Sequence, residues 1–447
     1  MSMDISGDGV WYLGISMDDR IEIVLDMEAR RDQNRDVLWN GFVSDVYPRN
    51  ATSPFHLFSI LTGRMMTELP SESTDQSITT DSGDEFPLRL NLSQWFVTVA
   101  IVVSVAWAAP SVWKWVEPFE ETSDYRLPVD WSEDYWTYQR HVNEAAKSKI
   151  MIVGDSVVWG EYVRPKEALH ACLNKEMPGS VFANGGVNGM HPLALQGLID
   201  WHTRGVQGGL LLHCNLLWTS SIERDLQVDE AVSFNHPDLL PQFNSRIASY
   251  RANTERRLST VIQERFGYRQ LVRHWRVTNF AFQNIPAWSI EHPYELPWRR
   301  FRSTATPPKD KPHSKPVVWS KKIRRPLDLA WIDLKVSNQW LAFQRCVSIF
   351  QQRGNDLFVV VGPINEHCLT AESRERYHQR TAEVSRWLSE QNVCHIVPTT
   401  LPTDEYGDAS HPLAKGYHSL ALQLRSSVEF QDWVLANRQE FSIATEE

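Results

Sequence analysis

The stretch NLSQWFVTVAIVVSVAWAAPSVWKW, residues 91–115, constrains this chain more than any other. It holds no charged residue from position 95 to position 112. A helix of roughly 19 such residues, rising about 1.5 Å each, reaches about 28 Å, the thickness of a bilayer's hydrocarbon core. Trp95, Trp113 and Trp115 stand where an aromatic belt meets the two interfaces. A buried core helix is the alternative, and the lack of a polar face speaks against it. The run begins too far from Met1 for an ordinary signal peptide, and Ala108-Ala109 beside Pro110 make a poor cleavage site. A retained transmembrane helix over 94–116 is therefore expected. Arg89 on one flank and Lys114 and Arg126 on the other differ too little to orient it.

The remaining chain divides around this segment. Residues 67–86, TELPSESTDQSITTDSGDEF, are acidic, rich in Ser and Thr and nearly free of apolar side chains, so 1–93 reads as a polar, largely disordered region. Met65-Met66 offers an alternative translation start, in which case 1–64 would not be part of the protein. The polar stretch that follows the anchor reads as a stalk over 117–135, leading into a soluble domain over 136–430 and a C-terminal tail over 431–447. Within the domain, short apolar strands alternate with helices: a strand at 149–153, a helix at 165–177, a strand at 180–183, the apolar run 208–218, and a strand near 358 followed by a helix over 371–391. That alternation predicts an α/β fold with a parallel sheet covered on both faces. The net charge of −10 argues against general nucleic-acid binding, which needs a surplus of Lys and Arg. Five cysteines lie far apart with no CxxC spacing, which suggests neither a zinc site nor a dense disulfide framework.

In such sheets ligands sit at the carboxyl ends of strands. The strand at 149–153 runs directly into Gly154-Asp155-Ser156, which places a serine where a loop enters a helix. A serine hydroxyl is a poor nucleophile until a base takes its proton. In DASHPLAKGY, His411 is the candidate base, and Asp408, three residues earlier, can accept its other N–H and stabilise the imidazolium. The backbone N–H groups of Ser156 and Gly189 and the side-chain amide of Asn215 can point donors at a developing oxyanion. Gly189 permits close approach because it lacks a Cβ. Asn184 and Gly186, in FANGGVNGMHP, are read as shaping the turn, and a turn-capping role is the alternative for Asn215. His191 and His213 read as structural histidines near the site. Glu405, Asp408 and His411 have no second group of His or Cys at ligand spacing, so neither a metal nor another cofactor is expected.

These blocks, GDS, NxGxxG, an asparagine at a strand end and DxxHP, occur in the order found in the SGNH (GDSL-like) hydrolase superfamily, which residues 146–430 resemble. The third block departs from the usual GxND and reads His213-Cys214-Asn215-Leu216. The resemblance implies a flavodoxin-like three-layer sandwich and acyl chemistry on Ser156. Membrane-anchored members include relatives of alginate O-acetylation factors and of the D-alanyl transfer protein of teichoic acids. The resemblance therefore implies an extracytoplasmic domain acting on an acylated envelope glycan or small ester, with a membrane-bound O-acyltransferase as a partner. Esterase, O-acyltransferase and non-catalytic carbohydrate-binding accessory are the three readings. An insertion over 219–342 exceeds what that fold needs. Its first part has helical periodicity. Its second, residues 297–326, carries ten Lys and Arg against one acid and reads either as a solvated, flexible loop or as a patch for anionic lipid headgroups or an acidic polysaccharide.

Overall fold

A computed structural model describes residues 3–5, 11–13 and 91–444, apart from 118, 120–123, 128–132, 178, 180, 281, 302–309 and 322–324. The disorder expected over most of 1–93 and the alternative start fall outside the described residues. Strands β1 (Met3–Ile5) and β2 (Trp11–Leu13) pair antiparallel within a first unit, Met1–Leu88. A second unit, Arg89–Glu447, carries the apolar helix, the central sheet and every candidate site residue.

Helix α1 (Leu92–Val116) opens on a capping box: Asn91 Oδ1 accepts the Gln94 N–H at 2.8 Å, and Gln94 Oε1 accepts the Asn91 N–H at 2.9 Å. None of its residues is buried, Trp107 is 84% exposed, and the helix is long and apolar enough to cross a membrane.

Five parallel strands form the central sheet in the order β4-β3-β5-β6-β7: β3 (Ile150–Gly154), β4 (Phe182–Gly186), β5 (Gly209–Cys214), β6 (Asp356–Val361) and β7 (Cys394–Ile396). Counted along the chain this is the doubly wound order 2-1-3-4-5. Register is continuous, with Ile152 opposite Asn184 and Leu211, and Leu211 opposite Phe358. Alternate side chains face opposite layers. Met151, Val153, Leu210 and Leu212 pack under α2 (Tyr135–Ala145), α5 (Pro192–His202), α9 (Asn338–Gln352) and α10 (Ala371–Glu390). Ile150, Ile152, Leu211 and Phe358 pack under α3 (Ser156–Trp159), α4 (Leu169–Glu176), α11 (Ala414–Ser426) and α12 (Val428–Ala444). Because both faces are covered, the strands are almost wholly apolar rather than alternating.

Two expected boundaries differ. Described residues of the stretch read as a stalk are docked: Glu117, Tyr125, Arg126, Leu127 and Asp134 are all buried. Residues 431–444 of the expected tail belong to α12, whose Phe430, Trp433 and Val434 complete the second layer. The spacing i, i+3, i+4 of those three apolar residues is what drives that helix onto the sheet.

The insertion contributes α6 (Thr254–Arg265), α7 (Gly267–Phe280) and α8 (Ile285–Glu291). Its neck is closed where Trp331 and Ile332 donate backbone N–H groups to Ser220 O at 3.2 Å and Thr219 O at 2.9 Å. Near its start, the buried Asp225 carboxylate accepts the N–H of Asn338 at 2.8 Å and of Gln339 at 3.1 Å, seating the insertion on the N-terminus of α9.

Candidate active site

The chain leaves β3, crosses to β4 on one side and returns to β5 on the other, so loops from three adjacent strands meet at one carboxyl edge. Ser156 lies after β3, Gly189 after β4 and Asn215 after β5. Asp155 caps α3, accepting the Val157 N–H at 3.0 Å, and thereby sets Ser156 in the helix's first turn. Gly186 is needed there because a Cβ on it would stand 2.4 Å from Trp159 N, so α3 could not pack across β4.

His411 comes in from the loop before α11. Its Nε2 is 2.8 Å from Ser156 Oγ, and its Nδ1 is 2.8 and 2.9 Å from the two Asp408 oxygens. Asp408 also accepts the N–H of Ser410 and of His411 at 2.9 Å each and the Tyr162 hydroxyl at 3.1 Å. Burial alone would raise the Asp408 carboxyl, but the His411 charge and these hydrogen bonds hold it well below the usual carboxylate range. Burial alone would lower His411, but Asp408, with Glu161 and Asp155 adding to the pull, pushes it up to about 9. In its neutral form the ring is placed to take the proton of Ser156 Oγ, with Asp408 fixing the tautomer.

Asn215 is held from both ends of its amide. Its Oδ1 accepts the Leu217 N–H at 3.0 Å, and its Nδ2 donates to Asp155 Oδ2 at 2.7 Å. One amide hydrogen is thus committed to Asp155, and the second is available to another acceptor. The Trp218 indole N–H also donates to Asp155 Oδ2 at 3.0 Å, and His213 Nδ1 stands 3.4 Å from Oδ1. Against the effect of burial, His213 and Asn215 hold the Asp155 carboxyl down at about 2. Gly189 adopts φ +69°, and a Cβ there would fall 2.1 Å from Nδ2 of Asn235, a residue of the insertion. Glycine is the residue that both the backbone and the space admit.

The structure brings Ser156, Asp408 and His411 into one hydrogen-bonded chain and sets Gly189 and Asn215 on the flanking loops. Asn184 Oδ1 accepts the Gly186 N–H at 2.9 Å and serves the turn. His191 is buried with Nε2 3.2 Å from Asn235 O, and burial lowers it to about 4. His213 Nε2 donates to Gly362 O at 3.1 Å.

Several contributors were missed at the level of sequence. Glu161 and Tyr162 follow the GDS block by a few residues, near enough to have been weighed with it. Arg126 and Asn235 carry no local signal. Arg126 Nη1 donates to the carbonyls of Trp159, Gly160 and Val163 at 2.9, 3.0 and 3.2 Å, closing the end of α3 from the supposed stalk. The basic segment also departs in part from a free loop. Ser314 donates its N–H to Glu161 O at 3.1 Å and its hydroxyl to the Glu161 carboxylate, while Trp319 N–H donates to Tyr406 O at 2.8 Å. Ser314 and Trp319 thus tie this segment to Glu161 and Tyr406, residues that follow the GDS block and precede Asp408.

No family model matches the sequence, and no curated protein matches it.

Proposed function

We propose that the chain is a membrane-anchored serine esterase of the SGNH type that cleaves O-acyl esters through an acyl-enzyme on Ser156. The hydrogen-bonded chain Ser156–His411–Asp408 at the switch point of a doubly wound sheet carries this reading. Ser156 attacks the ester carbonyl as His411 takes its proton. The Ser156 and Gly189 N–H groups and the remaining Asn215 amide hydrogen receive the oxyanion, and His411 returns the proton to the leaving alkoxide. Water, deprotonated by the same ring, then releases the acid. The substrate is an acylated envelope glycan or a related ester, and the domain lies outside the cytoplasm.

Acyl transfer to a glycan hydroxyl is the second reading, and it draws on the insertion. Asn235 stands over Gly189, and Ser314 lies against Glu161, so the insertion walls the site on two sides. Such walls are what a transferase needs to keep water from the acyl-enzyme.

One experiment tests both. Full-length protein in detergent is incubated with a short-chain aryl ester, with and without candidate oligosaccharides, and free acid and acylated sugar are quantified by mass spectrometry. Ser156→Ala should lose several orders of magnitude in turnover with folding unchanged, because the triad acts as a unit. Near-normal turnover in Ser156→Ala would falsify the esterase and transferase assignments together, and a serine-dependent acylated sugar would favour transfer.

A further inference from the structure

The insertion carries large apolar side chains on its outer surface that none of the described residues covers. On α6, Leu258 and Ile262 lie four residues apart on one helix face, and Phe266 follows at its C-terminal end; the three are 48%, 53% and 60% exposed. On and after α8, Ile290, Tyr294 and Trp298 are 80%, 99% and 65% exposed. Scattered exposed apolar residues need no explanation, but two such groups within one insertion do.

Both groups adjoin the anchor. The Cβ position of Gly267, next to Phe266, is 3.6 Å from Pro110, which belongs to the charge-free run of α1. The Trp113 ring packs edge-on against Trp275 of α7 at 5.1 Å and against Phe301 at 6.0 Å. Phe301 lies three residues beyond Trp298 and contacts Phe280 at 5.7 Å, which in turn contacts Trp288 of α8 at 5.3 Å. If α1 crosses a bilayer, the start of α7 is therefore at the level where hydrocarbon gives way to headgroups. Phe266 cannot stand far above that plane.

We infer that α6, α8 and the segment after α8 rest on the same membrane leaflet from which α1 emerges, with the two apolar groups entering the boundary between headgroups and acyl chains. The occupant of this surface is lipid. Leucine, isoleucine, phenylalanine, tyrosine and tryptophan are side chains that this boundary accepts. Exposed Arg265, Arg269 and Arg299 beside them suit phosphate headgroups. The inference rests on the reading of α1 as a membrane span.

The test uses the full-length chain in nanodiscs of phosphatidylcholine and phosphatidylglycerol, with a nitroxide on single introduced cysteines in a Cys394→Ser background; the other four cysteines are buried. Ile262→Cys and Tyr294→Cys probe the surface, and Val103→Cys probes the anchor. Native Cys394, exposed on the edge strand β7, is labelled as the aqueous reference. Collision with dissolved oxygen should exceed collision with a water-soluble nickel chelate several-fold at Val103, Ile262 and Tyr294, and the order should reverse at Cys394. Either surface label in water while Val103 is in lipid would overturn the inference and leave the anchor standing, and the surface would then belong to a protein partner. Val103 in water would remove the anchor and the inference together.

Discussion

On the proposed mechanism, Ser156 is only as reactive as His411 is neutral. With the ring raised to about 9, the imidazolium dominates at neutral pH and the base form grows as pH rises. The expected kcat/KM for a neutral ester therefore climbs about tenfold per pH unit below that value and levels near pH 9, a profile that stopped-flow or plate assays read directly. Glu161 is among the charges that raise the ring, so Glu161→Gln, which keeps an acceptor for Ser314, should move the climbing limb to lower pH. A limb that stays in place would show that Glu161 acts through packing alone. Stability runs the other way. An unfolded histidine titrates near about 6.5, so the contribution of the His411 proton to folding is complete below that and is lost as pH rises through about 9. The pH that frees the base also loosens the triad.

Helix α3 has four residues, too few to persist by its own hydrogen bonds. Arg126 holds its far end through three carbonyls, and the Tyr417 hydroxyl donates to Val157 O within it. Burial lowers the Arg126 pKa, with Asp124 opposing, so the guanidinium is held at a desolvation cost, and its removal takes a donor away from three buried carbonyls. Arg126→Ala should destabilise the protein by about 3 kcal/mol in urea unfolding and lower kcat by loosening the serine. An unchanged midpoint would mean that α3 is held elsewhere. This element also shows what a sequence can disclose. The strands were legible because burial on both faces demands continuous apolar runs, and GDS and DxxHP because their chemistry is local. Arg126 was not, since its role depends on a carbonyl cluster some 35 residues on that only the folded chain assembles. Asn235 is the same case. Helix α12 had a signal in Phe430, Trp433 and Val434, outweighed by its polar neighbours and its place near the end of the sequence.

At the scale of the whole second unit, the junction between α1 and the sheet domain decides how the two move together. His274 of α7 sits between Glu117 Oε1 at 2.8 Å and Asp134 Oδ2 at 2.9 Å, while Arg140 donates to Glu117 O at 2.9 Å. Burial alone would lower His274, but the two carboxylates raise it to about 9. By the same linkage its contribution is full below about 6.5 and lost as pH rises through about 9. Spin labels at Val103→Cys and Cys394 should give one narrow distance distribution at pH 7, broadened in His274→Gln and also in the parent protein above pH 9. A distribution that stays narrow in the variant would place the rigidity in the Trp113 contacts instead. If α1 spans a membrane and Ser156 is the nucleophile proposed, a docked junction also changes what the site can reach. A serine on a loose leash would sweep a volume and meet esters at any height, whereas one on a rigid arm visits a single layer parallel to the surface, so only substrates presented in that layer are processed, and lengthening the arm by whole helical turns would select a different layer.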